Sequence, residues 1–134
     1  MDHHILIVDD DENFLDFARL ALERTHARVT TVASAEEALA AARCERPSLI
    51  LLDIGLPGLD GYDVCEMLSG DGIPILFVSG HPYRDERLSA QFTGAVGYVQ
   101  KPVKPEDLRT AVRKALTGSS AARRPRGGAA PRRK

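Results

Sequence analysis

Three unbroken apolar runs, Ile5-Leu6-Ile7-Val8, Leu49-Ile50-Leu51-Leu52 and Ile75-Leu76-Phe77-Val78, constrain this chain more than any other feature. A run that short, with no polar alternation, reads as a strand buried on both faces. That is the situation of the inner strands of a parallel sheet covered by helices. The second run passes directly into Asp53, and the Gly/Pro/Asp-rich segment that continues to Gly61 reads as a loop. Asp53 then stands at the carboxyl end of a central strand, where open α/β sheets bind their ligands. A helix-capping aspartate fits this stretch, taken alone, equally well.

The segments between the runs supply the rest of an alternating pattern. Phe14, Ala18, Ala21 and Leu22 recur at helical spacing, and this first helix ends near His26. Val29-Thr30-Thr31-Val32 is β-branched and mixed in polarity, which suits an edge strand. Ser34 and Glu37 form a capping box. The helix they open carries Ala35, Ala38, Leu39 and Ala42 on one face and is stopped by Pro47. A third helix carries Val64, Cys65 and Leu68. A fourth, roughly residues 84–93, is the least apolar, with Leu88 and Phe92 as its core contacts. Val96 to Val99 gives a fifth strand, and Pro105 suits the first position of a last helix whose buried face is Leu108, Ala111, Val112 and Ala115.

Strands alternating with helices predict an α/β fold with a five-stranded parallel sheet, five helices and right-handed crossovers. The three wholly apolar strands belong inside and the two mixed ones at the edges. The order 2-1-3-4-5, a flavodoxin-like three-layer sandwich, meets that requirement.

A chain of 134 residues is long enough to bury such a core without disulfides or metals. Its net charge of −1 hides an asymmetry. Residues 1–117 carry 12 basic against 19 acidic residues, a net of −7, while Arg123, Arg124, Arg126, Arg132, Arg133 and Lys134 give the remainder +6. Residues 1–117 are therefore expected to form the folded domain. Residues 118–134, without a large apolar side chain, are expected to form a basic, disordered tail. Such a tail could attract nucleic acid or an anionic surface without sequence specificity. Cys44 and Cys65 match no metal-ligand or CxxC spacing, so reduced thiols in a cytoplasmic protein are expected. No signal peptide or apolar run of transmembrane length is present.

In the expected topology the carboxyl ends of strands 1, 3, 4 and 5 converge on one edge. They bring together Asp9, Asp10, Asp53, Ser79 and Lys101. Three carboxylates in one crevice cannot all stay ionised unless a cation joins them, because like charges raise each other's pKa. Mg²⁺, hard and oxygen-seeking, is the natural occupant. A metal, a lysine ammonium, a hydroxyl and the backbone N–H groups following strand 4, at Gly80, suit the oxygens of a phosphoryl group, with Asp53 as nucleophile. Each piece has a plainer reading: helix N-terminal charges for the acidic pair, a turn residue for Ser79, a solvated charge for Lys101. The arrival of all of them at one end of four strands favours the site.

Ile-Leu-Ile-Val-Asp-Asp at residues 5–10, Asp53 followed by Pro57 and Gly61, Val78-Ser79-Gly80, and Tyr98 ahead of Lys101-Pro102 together resemble the receiver domains of bacterial two-component response regulators, across residues 3–117. The resemblance implies that Asp53 takes a phosphoryl group from a phosphohistidine on a sensor histidine kinase or phosphotransfer protein. It implies that Asp10 and Asp53 bind Mg²⁺ directly, Asp9 through water, and that the carbonyl of Gly55 supplies another ligand. Ser79 and Lys101 would hold the phosphoryl oxygens, and Lys101-Pro102 would be a cis peptide. Ser79 and Tyr98 would form a switch that changes partner binding on the face of helix 84–93, strand 5 and the last helix, toward an unidentified downstream protein. Such a domain catalyses its own phosphorylation and dephosphorylation.

Gly80 stands where the family more often has Ala, and His81 and Gly55 occupy variable positions beside the phosphoryl site. No output domain is expected after residue 117, so a stand-alone receiver and a receiver segment of a hybrid histidine kinase both remain open. An inert interaction module of this fold is a further alternative, against which the intact Asp/Asp/Asp/Ser/Lys set argues. A haloacid dehalogenase-like phosphatase would carry a second Asp where Gly55 stands. A flavodoxin would carry a hydroxyl- and Gly-rich phosphate loop where this chain is acidic.

Overall fold

The computed structural model describes residues 3–56, 61–69, 72–80 and 95–122. Five strands appear where the apolar runs and the two mixed segments predict them: β1 (His4–Val8), β2 (Arg28–Val32), β3 (Leu49–Leu52), β4 (Ile75–Ser79) and β5 (Ala95–Gln100). The helices among the described residues are α1 (Glu12–Glu23), α2 (Ala35–Cys44), α3 (Gly61–Ser69) and α4 (Pro105–Ala122). The helix expected over residues 84–93 lies outside the described residues, as do Pro57 and His81.

All four strand pairings are parallel and the order is β2-β1-β3-β4-β5, as expected, with the three wholly apolar strands inside and the two mixed ones at the edges. The inner strands β1, β3 and β4 are buried at every position. Their residues divide strictly by parity between two apolar layers. Leu6, Val8, Ile50, Leu52, Ile75 and Phe77 pack with Ala35, Ala38 and Ala42 of α2 and Val64, Cys65 and Leu68 of α3. Ile5, Ile7, Leu49, Leu51, Leu76 and Val78 pack with Leu15, Ala18 and Leu22 of α1 and Leu108, Val112 and Ala115 of α4. Successive residues point to opposite faces of a strand, and both faces here are covered, which is why the sequence shows no alternation. Each fully buried Leu, Ile, Val or Phe contributes about 1.5–3 kcal/mol, so these two layers hold the sheet together.

The helix boundaries follow local chemistry. Asp11 caps α1, its Oδ1 accepting from the N–H of Asn13 at 3.0 Å. Ser34 caps α2 by accepting from the N–H of Glu37 at 3.2 Å, while Glu37 reaches back past the N-cap to the N–H of Ala33, one residue beyond the ideal box. The C-terminus of α1 is tied to α4, where Arg109 Nη1 donates to the carbonyl of Ala21 at 3.2 Å.

One boundary differs from expectation. Helix α4 continues to Ala122, so residues 118–122 belong to it and the boundary expected at Thr117 falls inside the helix. Propagating an existing helix needs no buried side chain, Ala is the strongest helix former, and a single Gly costs only about 1 kcal/mol. Residues 123–134 lie outside the described residues. No helix among the described residues is long and apolar enough to cross a membrane.

His26, exposed just beyond α1, has φ 66°, in the left-handed region that disfavours residues with a Cβ. His26→Gly is expected to raise unfolding free energy by roughly 0.5–1 kcal/mol in a urea titration, with His26→Ala giving no such gain.

Candidate functional site

The sheet register delivers the polar residues to one edge. Val8 is paired with Leu52, so Asp9 and Asp53 leave the sheet side by side. Their backbones remain anchored there: the N–H of Asp53 donates to the carbonyl of Val8 at 3.1 Å, and that of Asp9 to the carbonyl of Val32 at 3.2 Å. Ser79, the last residue of β4, is paired with Gln100, and the N–H of Lys101 donates to the carbonyl of Ser79 at 2.9 Å. The Lys101–Pro102 peptide is cis.

Carboxylate oxygens of Asp9, Asp10 and Asp53 lie within 4.8 Å of one another. The three differ in setting. Asp10 is exposed, Asp53 is half-buried, and Asp9 is only 1% exposed. Burial pushes the carboxyl of Asp9 above the ordinary carboxylate range. Hydrogen bonds from Lys101 and from the N–H of Asp11 oppose the rise, as does the Lys101 charge, while the charge of Asp53 adds to it. The ion pair is close, with Lys101 Nζ 2.5 Å from Asp9 Oδ2, and the N–H of Asp11 donates to Asp9 Oδ1 at 2.9 Å. Three hard oxygen donors packed this tightly, one of them resisting ionisation, fit a divalent cation such as Mg²⁺.

The remaining candidates lie on β4, β5 and the turn after β3. Ser79 is fully buried and follows Phe77 by two residues, on the same face of β4. Tyr98 is half-buried, paired with Phe77 in the ladder, and packs against the layer that contains it. Gly55 lies in the exposed turn after β3, its N–H 3.4 Å from Asp53 Oδ1, a long contact. Gly80 is exposed, and a Cβ built on it meets nothing within 4 Å, so space does not require a glycine there.

Two features were not readable from the sequence. Lys101 pairs with Asp9, across 92 residues of chain. Its Nζ also lies 4.2 Å from the centre of the Phe14 ring, although Phe14 reads in the sequence only as a residue of the apolar face of α1. No local signal marks either contact, because both depend on the segment after β5 reaching the end of β1 and the start of α1. The N-cap role of Asp11 was similarly hidden within the acidic run Asp9 to Glu12.

Comparison with known proteins agrees with this geometry. Residues 5–113 match the family model of the response regulator receiver domain. The chain is 36% identical over 124 residues to the alkaline phosphatase synthesis transcriptional regulatory protein PhoP of Bacillus subtilis, covering 91% of this chain and 52% of that protein. It is 36% identical over 117 residues to the DNA-binding response regulator MtrA of Mycolicibacterium smegmatis, covering 87% of this chain and 51% of that protein. It thus spans about half the length of these curated relatives. Among solved structures, a CheY-like receiver domain protein from Methanospirillum hungatei superposes with a TM-score of 0.83 at 32% identity, over 90% of this chain and 98% of that one. The BeF3-activated DrrB receiver domain superposes with a TM-score of 0.78 at 29% identity, over 87% and 99%. With its sheet order, its acidic pocket and this family match, the chain belongs to the response regulator receiver domains, which act in phosphorylation-dependent signalling with histidine kinases or phosphotransfer proteins.

Proposed function

We propose that this chain is a Mg²⁺-dependent switch whose phosphoacceptor is Asp53. The observation that carries the reading is the convergence of Asp9, Asp10 and Asp53 within 4.8 Å, beside Lys101. Of the three carboxylates, Asp9 is buried and engaged by Lys101, and Asp10 is exposed at the rim. The half-buried setting of Asp53 at the end of the central strand β3 supports reading it as the nucleophile.

In this reading a carboxylate oxygen of Asp53 attacks the phosphorus of a phosphohistidine. The P–N bond breaks as the O–P bond forms, and the imidazole departs to its kinase or phosphotransfer protein. Asp9, Asp10 and Asp53, with the Gly55 carbonyl, would hold Mg²⁺. The bound cation would offset charge on the phosphoryl oxygens. Lys101, the Ser79 hydroxyl and the N–H of Gly80 receive those oxygens. The same groups later assist attack by water, so the domain catalyses both its own phosphorylation and its dephosphorylation.

Ser79 also carries the signal. Its hydroxyl is buried on the face of β4 that Tyr98 packs against, so drawing Ser79 toward a phosphoryl group alters the packing available to Tyr98. The output face then comprises β5 and α4, read by a downstream protein. The basic residues beyond Gly118 add a salt-sensitive attraction to nucleic acid or anionic surfaces.

Incubation with acetyl phosphate and Mg²⁺ should add one phosphoryl group by intact-mass measurement. Asp53→Asn or EDTA should abolish the addition, and equal labelling of Asp53→Asn would refute the assignment. Mg²⁺ should raise unfolding free energy by about 2.7 kcal/mol at a concentration ~100-fold above its Kd. The pH dependence has a definite sign. Because the folded-state pKa of Asp9 lies above its unfolded value, its ionisation weighs against folding as pH rises through that window, and a bound cation offsets this cost. Protons compete for the same oxygen, so Mg²⁺ stabilisation should start to fade at a pH above the ordinary aspartate range as the solution is acidified.

Ser79→Ala should separate chemistry from signalling. The variant should still be labelled, while losing the phosphorylation-dependent NMR shifts of Tyr98 and β5. Wild-type shifts in Ser79→Ala would exclude this role.

A further inference from the structure

We propose that Phe14 is a positioning residue of the phosphoryl site, its ring face serving as a second seat for the Lys101 ammonium when Asp9 yields to a cation. This rests on the function proposed above.

The geometry begins with the start of α1. Asp11 caps the helix, so Phe14 falls in its first turn, directly beyond Asp9 and Asp10. The ring is only partly buried, on the rim of the layer formed by α1, α4 and the sheet. Phe17 lies one turn along, with ring centres 5.7 Å apart and planes inclined by 44°, a tilted aromatic contact with the Phe14 ring. Lys101 reaches the ring from the segment after β5, its backbone fixed by the carbonyl of Ser79. Its Nζ thus touches two partners at once, Asp9 Oδ2 at 2.5 Å and the Phe14 ring at 4.2 Å from its centre.

These partners do not respond alike to a metal. The face of an aromatic ring attracts an ammonium and repels a carboxylate. While Lys101 is paired with Asp9, part of the attraction to the ring is cancelled. When Asp9 gives its Oδ2 to a cation, Lys101 loses that partner and its attraction to the ring increases. The ring therefore favours the state in which Asp9 is free to serve the metal, and it keeps Lys101 at the edge where Ser79 and Asp53 stand. An aliphatic side chain at position 14 would fill similar space without this effect.

The test compares Phe14→Leu with Phe14→Tyr, which keeps the ring. In the metal-free wild-type protein, carbon–proton NMR should find the Lys101 ε-methylene shifted upfield by the ring current. Phe14→Leu should lose that shift and Phe14→Tyr should keep it. Calorimetric titration with Mg²⁺ should show binding ~3-fold weaker in Phe14→Leu, within the range of a cation–π contact, and unchanged in Phe14→Tyr. A Phe14→Leu protein that retains the upfield shift, or binds Mg²⁺ as tightly as wild type, overturns the proposal. Should Phe14→Leu fail to fold, the same resonance followed in wild type decides the matter. It should stay upfield at Mg²⁺ saturation, and a random-coil position there overturns the proposal. Labelling of Asp53→Asn would refute the phosphoacceptor reading without changing the lysine shift, so the two failures are distinguishable.

Discussion

Three carboxylates crowd one end of a sheet whose interior is otherwise apolar, and the rest of the structure is arranged around that unfavourable concentration of charge. Asp9 bears most of the tension. It is 1% exposed and its carboxyl is pushed upward by burial and by Asp53. Lys101 relieves part of this from 92 residues away in sequence. Removing charge from the cluster would relax the fold, and keeping it leaves a place prepared for a cation.

Holding such a cluster together requires a rigid frame, and the two apolar layers supply it. Because Val8 and Leu52 are paired in register, Asp9 and Asp53 emerge together, and a shift of one residue in either strand would turn one of them into a covering layer. The backbone bonds from Asp53 to Val8 and from Lys101 to Ser79 extend that register one residue past the strands. The site is thus set by the sheet rather than by its loops. The edge strand β5, like β2 at the other edge, is exposed or half-buried along its length, and it carries Tyr98 and leads into Lys101. A rigid centre with a less constrained edge is a suitable build for a switch.

Much of this was legible in the residues themselves. Unbroken apolar runs against the mixed polarity of residues 28–32 and 95–100 showed which strands lie inside, and the family resemblance chose 2-1-3-4-5 among the orders that allow it. The convergence of Asp9, Asp10, Asp53, Ser79 and Lys101 was legible for the same reason, since each stands at the end of its strand. What sequence could not supply were contacts made across elements. The pairing of Lys101 with Asp9 is such a contact, and Phe14 reads only as part of the apolar face of α1 until Lys101 is found above it. The end of α4 was misplaced for a different reason. Absence of large apolar residues after Thr117 argues against burial but not against continuation of a helix already formed.

The central claim is that the acidic edge is a cation and phosphoryl site centred on Asp53. A crystal structure of the protein with Mg²⁺ and beryllofluoride tests it most directly. The account predicts beryllium bonded to a carboxylate oxygen of Asp53, the cation among Asp9, Asp10 and Asp53, and Lys101 and Ser79 directed at the fluorides. Beryllofluoride on another residue, or none bound while the Lys101–Asp9 pair stays closed, would contradict it.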